Sequence, residues 1–314
     1  IVDDETFAQL KSLADELELD VLTEAITKEE VDRALSFGVE IIGINNRNLH
    51  DLSIDLSRTE QLAGYVPDDK VVVSESGIRD NHTVRHLGAH ANAFLVGSQL
   101  TGTPDIDRAC RELVFGTNKV CGLTTWSAAQ AARAAGAVYG GLIFEEASPR
   151  TVSRETAQDI IAHEPDLSYV AVSRRTTGWE ELAFEGIDAL QIHAPYQGST
   201  EAELDLIASV RAVAGERQVW RAIDMTAPHG PSLAIALADA ADMLILDSGP
   251  GGTGTSFDWS TVPAAVKDKA LLAGGLNLSN LTDALRVGTL GLDLNSGVEN
   301  NGRKDTGLIA RTFD

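Results

Sequence analysis

A thiol and a carboxylate stand at the ends of two short apolar runs in the second part of the sequence. Cys121 ends "KVC", directly before Gly122, and Asp247 ends "MLILD". The ordinary explanations are a small buried hydrophobe for the cysteine and a helix cap or turn former for the aspartate. At the mouth of an active site, a thiol can instead remove a proton and a carboxyl group can deliver one. Because two groups of different intrinsic acidity suit a reaction that moves two protons, the pair indicates acid–base catalysis.

Three glycine clusters follow later strand candidates. They are "GPGGTG" (249–254), "AGG" (273–275) and "NSG" (295–297), with Gly252, Gly254, Gly274, Gly275, Ser296 and Gly297 as candidate ligand-binding residues. Such clusters are often only turns. A barrel of alternating strands and helices, however, commonly holds a phosphate with backbone N–H groups from the loops after its seventh and eighth strands. The clusters therefore predict a phosphate site that needs no lysine.

Two further polar residues follow strand candidates in this part of the chain. Arg150, in "SPR", could bind a carboxylate through its planar fork, although a surface arginine is an equally ordinary explanation. His193 follows "DALQI", and we assign it no catalytic role.

Polar residues also end the strand candidates of the first part. They are Glu24, Asn45, Asn46, Glu75, Ser76 and Ser98, and Gly97 occupies the same kind of position. A buried carboxylate at a strand end is costly unless it is paired or functional. The two glutamates therefore favour a second active site.

Strands and helices must alternate to position these groups. From residue 117 onward the strand candidates are "KVCGL", "YGGLIF", "SYVAVS", "DALQIH", "QVWRAI", "MLILDS", "ALLAGGL" and "GLDLNSG". Stretches of helical period lie between and after them, including 126–136, 153–164 and 258–269. Eight such units predict an α/β fold with a closed (β/α)₈ barrel, whose active site lies at the carboxyl ends of the strands.

The first part follows the same pattern with only four strand candidates. These are "DVLTEA", "EIIGINN", "KVVVSESG" and "AFLVGSQL". Four units make half a barrel. We therefore expect two domains, 1–116 and 117–314, joined at the short turn 115–118.

Composition narrows the class of protein. The 314 residues are 43% hydrophobic, without an apolar run near the ~20 residues of a membrane-spanning helix, which predicts a soluble globular protein. A net charge of −22 argues against nucleic acid and anionic membranes as partners. The excess of acidic residues is compatible with adaptation to a salty habitat or with lineage drift. Two cysteines without metal-ligand spacing, and no secretory segment, predict a cytoplasmic protein. Because Ile1 opens into a helical pattern with no strand before it, we expect the natural beginning to be missing.

Longer motifs resemble two known families. Motifs of the second part resemble phosphoribosylanthranilate isomerase, namely "KVCGLT", "YGGLIF", "SPR", "GGTG", "LLAGGL" and "GLDLNSGVE". Four motifs of the first part resemble the C-terminal half of indole-3-glycerol-phosphate synthase, namely "LTEA", "GINNRNLHDLSIDL", "SESGI" and "FLVGSQL". That half comprises strands five to eight of a second (β/α)₈ barrel. This order is that of the bifunctional tryptophan-biosynthesis proteins in which the two barrels are fused, and the resemblance covers essentially the whole chain.

The isomerase resemblance implies an Amadori rearrangement of N-(5-phosphoribosyl)anthranilate, a small phosphorylated substrate, with no metal or organic cofactor. Asp247 would be the general acid that opens the furanose ring, and Cys121 the general base that takes the proton from the sugar C2′. Arg150 would contact the anthranilate carboxylate, while the glycine clusters and Ser296 would hold the phosphate.

The synthase resemblance implies a second set of roles. Glu24 would be a general base, Asn45, Glu75 and Ser76 would contact substrate, and Gly77, Gly97 and Ser98 would hold phosphate. The full-length parent would decarboxylate and cyclise the isomerase product to indole-3-glycerol phosphate. Since the essential lysines of that family belong to strands before Ile1, we expect no synthase activity from this chain. We also expect a monomeric parent and a half-barrel able to self-associate.

Two rival functions stay open from the sequence. One is another phosphosugar isomerase of the same fold, such as the histidine-pathway enzyme, which is expected to use two aspartates; Cys121 argues against it. The other is a non-catalytic protein that binds a phosphorylated ligand and uses its first segment for interaction. Turnover of phosphoribosylanthranilate discriminates among the three.

Overall fold

Two units divide the chain in the computed structural model, which describes residues 2–49, 51–249 and 255–314. The first unit is Ile1–Leu113 and the second is Val114–Asp314. Within the described ranges, no helix is both long and apolar enough to cross a membrane.

The first unit contains a four-stranded parallel sheet with its strands in chain order. These strands are β1 (Leu22–Ala25), β2 (Ile41–Asn45), β3 (Val71–Glu75) and β4 (Ala93–Leu95). The helices that begin in this unit are α1 (Asp4–Glu16), α2 (Lys28–Ser36), α3 (Ser57–Ala63), α4 (Asn81–Leu87), α5 (Ser98–Thr101) and α6 (Ile106–Phe115). Strands β1 and β4 lie at the two edges of this sheet. The four predicted strands are thus present and parallel.

One expectation about the first unit is wrong, because Glu24 lies on a strand at the edge of the sheet. We expected both strand-end glutamates to be buried, but Glu24 is exposed. It lies on β1, which pairs on one side only, whereas Glu75 lies on β3 between two strands and is 2% exposed. The cost of burying a carboxylate therefore applies to Glu75 alone.

The second unit is a closed barrel of eight parallel strands, with β12 hydrogen-bonded to β5. The strands are β5 (Lys119–Cys121), β6 (Tyr139–Ile143), β7 (Ser168–Ser173), β8 (Ile187–Ile192), β9 (Gln218–Asp224), β10 (Met243–Asp247), β11 (Ala270–Leu272) and β12 (Gly291–Leu294). A short antiparallel pair, β13 (Glu299–Asn300) and β14 (Arg303–Lys304), follows them. The predicted α/β fold with a closed eight-stranded barrel is confirmed.

The helices of this unit are α7 (Trp126–Ala135), α8 (Arg154–His163), α9 (Thr200–Ala214), α10 (Gly230–Leu237), α11 (Leu281–Arg286) and α12 (Thr306–Phe313). Four of them begin at side-chain caps. Each cap accepts a hydrogen bond from the backbone N–H three residues later, and the caps are Thr125, Ser153, Ser199 and Asp305. Such caps satisfy N–H groups that the first helical turn leaves without partners.

One predicted helix is absent. The stretch 258–269 forms two 3₁₀ turns, Trp259–Thr261 and Ala264–Lys269, instead of an α-helix. Pro263 lies between the two turns with ψ of 137°, an extended conformation. Because proline has no N–H to donate and crowds the preceding turn, it interrupts the helical pattern there.

Alternation along each strand sorts side chains between two cores. In β10, Leu244 and Leu246 pack in the cluster that includes helix residues, while Met243 and Ile245 belong to a separate cluster of barrel residues. Since successive strand residues point to opposite faces, Asp247 continues the series of Met243 and Ile245 toward the barrel interior. The same alternation in β5 points Lys119 and Cys121 inward and Val120 outward.

Candidate active site

A cavity of about 420 Å³ lies at the carboxyl ends of the barrel strands. Among the residues predicted from the sequence, its lining contains Cys121, Arg150, Asp247, Gly274, Gly275 and Ser296. His193, a strand-end residue to which we gave no catalytic role, and Asp293, which was not predicted, line it as well. The structure thus brings the predicted thiol and carboxylate to one space.

Backbone geometry explains the glycines of the last two clusters. Gly275 has a φ of +65°, and a Cβ there would lie 2.7 Å from the backbone N of Ser256. A Cβ on Gly297, next to Ser296, would collide with the carbonyl oxygen of Leu276. Only glycine lets the chain pass so closely at these two positions. Gly252 and Gly254 lie outside the described residues.

Cys121 is the last residue of β5 and is only 5% exposed. Burial raises the pKa of its thiol above the ordinary value, because the charged thiolate loses its hydration. The ammonium of Lys119 acts in the opposite direction through its charge and a hydrogen bond. The acidity of the thiol therefore depends on a neighbour two residues earlier in the same strand.

Lys119 and Asp293 form an ion pair inside the barrel. The lysine Nζ donates to Asp293 Oδ2 at 2.8 Å, and the two side chains are 0% and 7% exposed. Strand pairing sets the two residues side by side, since Lys119 and Asp293 are register partners of β5 and β12. Neither residue was predicted from the sequence. The two-residue period from Lys119 to Cys121 is the signal that could have found the lysine.

Asp247 ends β10 and takes part in two hydrogen bonds. The backbone N–H of Ser248 donates to Oδ1 at 2.7 Å, and the ring of His193 has its Nε2 3.2 Å from Oδ2. From the sequence we gave His193 no catalytic role, yet its ring contacts the carboxylate and lines the same cavity. The arrangement can fix the orientation of the Asp247 carboxyl group.

A buried arginine holds the backbone on both sides of His193. Arg221 Nη1 donates to the carbonyl oxygens of Ile192 and Ala194 at 3.2 and 2.8 Å. Its Nε is 2.7 Å from Glu203 Oε2, and the arginine and glutamate side chains are 3% and 0% exposed. Since a buried charge is tolerated only when it is paired and hydrogen-bonded, this pair also fixes the end of β8.

Arg150 is not the free surface arginine that the sequence left as an alternative. Its side chain is 16% exposed, and Nε and Nη2 donate to the two oxygens of Glu299 at 2.7 and 2.8 Å. Lys304 Nζ also binds Glu299 Oε1, at 2.6 Å, and the Asn295 side chain at 2.9 Å. Burial acts to raise the pKa of Glu299, but the two cations hold it below its usual range. The network fixes the guanidinium at the cavity wall.

Three predicted residues of the first unit meet at the carboxyl ends of β1 to β3. Asn45 Nδ2 donates to Glu24 Oε2 at 3.0 Å, and Asn45 is the register partner of Glu75. Glu24 and Glu75 flank Gly43, which has no side chain to displace the Glu75 carboxylate. Burial, with a smaller contribution from the Glu24 charge, raises the pKa of Glu75 to about 7.

The remaining predicted residues of the first unit are dispersed around that group. Asn46 is buried and holds Ser74 and Thr59 together, with its Nδ2 3.1 Å from Ser74 Oγ and its Oδ1 2.9 Å from Thr59 Oγ1. Ser76 follows β3 with a φ of +65°. Gly97 and Ser98 stand exposed at the start of α5.

The pKa of Glu75 predicts how the stability of the first unit depends on pH. Its folded-state pKa of about 7 lies above the ordinary value of 4.5, so the unfolded chain loses the proton first as the pH rises. The free energy of unfolding should therefore fall between pH 4.5 and 7, by up to about 3 kcal/mol. Hydrogen exchange at the amides of β2 and β3, measured across this range, reports it.

A matched pair of variants checks this pH dependence. Glu75→Gln should remove most of it, because the side chain can no longer ionise. Glu40→Gln should leave it in place, since Glu40 is exposed and binds Lys70 at the surface. If the two variants show the same slope as the parent chain, Glu75 is not the titrating group.

Comparison with known proteins gives matches along both units. The family of indole-3-glycerol phosphate synthase matches residues 1–113, and the family of N-(5′-phosphoribosyl)anthranilate isomerase matches residues 118–314. The tryptophan biosynthesis protein TrpCF of Corynebacterium glutamicum is 59% identical over 321 residues, covering 100% of this chain and 68% of that protein. TrpCF of Salmonella typhi is 42% identical over 319 residues, with 100% and 68% covered. The chain thus spans about two thirds of the length of these relatives.

Solved structures resemble the barrel. The phosphoribosyl anthranilate isomerase of Thermus thermophilus is 28% identical with a TM-score of 0.52, covering 63% of this chain and 96% of that chain. TrpF of Jonesia denitrificans is 29% identical with a TM-score of 0.50, covering 63% and 95%. With a family match over residues 118–314 and 59% identity across its whole length to a TrpCF protein, the chain belongs to the N-(5′-phosphoribosyl)anthranilate isomerase family and to the TrpCF proteins of tryptophan biosynthesis.

Proposed function

We propose that this chain isomerises N-(5′-phosphoribosyl)anthranilate to 1-(2-carboxyphenylamino)-1-deoxyribulose 5-phosphate by an Amadori rearrangement. The observation that carries the proposal is a thiol and a carboxylate, Cys121 and Asp247, on one cavity in the segment that matches the isomerase family. A volume of about 420 Å³ is within the usual range for a small-molecule site. The family match disfavours the two rival functions.

Asp247 is the general acid of this proposal. It gives a proton to the furanose ring oxygen as the bond from that oxygen to C1′ breaks, and the nitrogen lone pair forms the C1′=N bond of a Schiff base. The hydrogen bonds with His193 and with the Ser248 N–H support this role, because they fix the direction of the carboxyl group. Proton transfer of this kind depends on a donor held within hydrogen-bond reach.

Cys121 is the general base. Its thiolate takes the proton from C2′, the electrons of that C–H bond form a C1′=C2′ double bond, and the C=N electrons return to nitrogen. Tautomerisation of the resulting enolamine adds a proton at C1′ and leaves the ketone at C2′. Because the thiolate is the active base, the charge on Lys119 supports this role by opposing the effect of burial on the thiol.

The two ends of the substrate are assigned to two different sets of residues. Arg150 uses Nε and Nη2 for Glu299, so Nη1 is the nitrogen that we assign to the anthranilate carboxylate. The phosphate is assigned to the cluster residues Gly274, Gly275, Ser296 and Gly297, where the close backbone approach at Gly275 and Gly297 supports an N–H-lined site. Gly252 and Gly254 belong to the same assignment from the sequence alone.

The domain boundaries and the first unit form a second part of the proposal. Residues 117–314 are the isomerase barrel, and 1–116 correspond to the C-terminal half of a synthase barrel. Four parallel strands in chain order and the family match over residues 1–113 support this. Glu24, Asn45, Glu75, Ser76, Gly97 and Ser98 are its proposed site residues.

Turnover by the full chain tests the proposed reaction. Substrate and product have the same mass, so conversion in D₂O is followed by ¹H NMR, which reports loss of the C2′ proton and the change in the C1′ signal as that carbon becomes the aminomethylene of the product. We expect saturable conversion with deuterium entering at C1′, because the proton added there comes from solvent or an exchangeable side chain. Conversion no faster than in buffer alone would contradict the proposal.

A further inference from the structure

We propose that Lys119 is a positioning residue for the isomerisation, whose buried ammonium stabilises the thiolate form of Cys121. The inference rests on the proposed role of Cys121 as the base, and it adds the group that makes this thiol usable. Lys119 does not line the cavity, so it acts through the cysteine and not on the substrate.

The backbone places the ammonium beneath the thiol. Lys119 and Cys121 are two residues apart in β5 and point to the same side of the barrel. Their nearness is fixed by Gly141 on the neighbouring strand β6, the register partner of Cys121. A Cβ at Gly141 would lie 2.7 Å from Cys121 Sγ and 3.0 Å from Lys119 Cε. The thiol and the end of the lysine side chain therefore share one small space.

Asp293 keeps the lysine charged in this space. Lys119 is fully buried, and desolvation acts to lower its pKa, but the Asp293 carboxylate and Cys121 hold that pKa above its ordinary value. Only Oδ2 of the carboxylate binds the lysine, at 2.8 Å, while the buried Oδ1 has no hydrogen-bond partner among the described residues. An ion pair with one unpartnered oxygen costs stability in a barrel interior, which indicates a purpose other than stability.

Several charged groups face the thiol or its partner, and they act in different directions. On the thiol, Lys119 and Lys304 favour the thiolate and Asp293 disfavours it. Arg150 lies near enough for its charge to interact with the thiolate, and Glu299 neutralises part of the charge on Arg150 and Lys304. Asp247 and His193 act on Asp293. Lys119 has the largest effect of the cations on the thiol.

Alkylation tests the inference without reference to catalysis. In a Cys110→Ser background Cys121 is the only thiol of the chain, and iodoacetamide reacts with its thiolate. We expect Lys119→Met to move the midpoint of the plot of alkylation rate against pH to higher pH by about one pH unit or more. Below the midpoint, the alkylation rate should then be roughly tenfold lower than that of the parent. Lys304→Met, which removes another buried cation near the thiol, should give a smaller shift.

Two further variants separate charge from structure. Asp293→Asn removes the carboxylate that keeps Lys119 charged, so its midpoint should also rise, but by no more than that of Lys119→Met. The double variant Lys119→Met with Asp293→Asn leaves no unpaired buried charge, which keeps the test available if the single lysine variant does not fold, and its midpoint should rise. Midpoints of the lysine variants within about 0.3 unit of the parent would overturn the inference.

The pH profile of turnover links this result to the reaction. In the Lys119 variants, the acidic limb of the plot of kcat/KM against pH should move to higher pH. The size of this shift should equal the shift of the alkylation midpoint. A failure of Cys121→Ser to lower turnover would remove the proposed base, but the alkylation result would still decide whether Lys119 controls the thiol.

Discussion

Replacing Asp247 with asparagine is expected to lower kcat for N-(5′-phosphoribosyl)anthranilate by about 10²–10⁴-fold. The amide keeps the shape of the side chain and can still bind the Ser248 N–H, but it has no acidic proton for the ring oxygen. Since ring opening would then depend on water as the acid, KM should change far less than kcat. Steady-state kinetics of the full chain by the NMR assay measures both.

Asp224 gives a matched control for this variant. It ends β9, is the register partner of Asp247 on the neighbouring strand, and does not line the main cavity. Its Oδ1 accepts from the backbone N–H and the hydroxyl of Thr226 at 2.9 and 2.6 Å. Asp224→Asn should hold kcat within about threefold of the parent. If Asp247→Asn does the same, Asp247 is not the general acid.

The second large effect is expected for Cys121→Ser, which should lower kcat by about 10²–10⁴-fold. A hydroxyl fills almost the same volume as the thiol, but it holds its proton far more tightly, so almost none of the oxyanion base forms near neutral pH. The packing of β5 should persist, which circular dichroism and an unchanged melting temperature would verify. Exchange of deuterium into the product should fall together with kcat.

Cys110→Ser is the control for the thiol. Cys110 lies on α6, in the first unit, and is not part of the cavity lining. This variant should leave turnover unchanged. A Cys121→Ser enzyme with turnover within about threefold of the parent would mean that another group takes the C2′ proton.

Much of the barrel follows from local sequence pattern. Short apolar strands alternate with capped helices, so the closed parallel architecture could be predicted from the order of elements alone. Cys121 and Asp247 were found because each is the last residue of its strand, and strand ends of a barrel lie on one face. Both positions depend on nearest neighbours in the chain, which is where sequence patterns carry most information.

The hydrogen-bond partners of these residues depend on strand pairing. Which strands pair cannot be predicted from neighbouring residues in the sequence. Lys119 binds Asp293 across 174 positions, and His193 binds Asp247 across 54. Neither contact can be read from periodicity, because the register of each strand against its neighbour decides it. In the same way, Glu24 became exposed through the edge position of β1, which its own sequence does not reveal.

Closure of the ring by its first and last strands has a consequence for synthesis on the ribosome. At roughly 5–20 residues per second, about ten to thirty seconds separate the emergence of Lys119 from that of Asp293. Until β12 has been translated, one edge of β5 is unpaired, and Lys119 lacks the Asp293 carboxylate as its ion-pair partner. A nascent barrel therefore cannot form this buried charge pair until its first and last strands pair, and no shorter fragment contains the complete cavity lining.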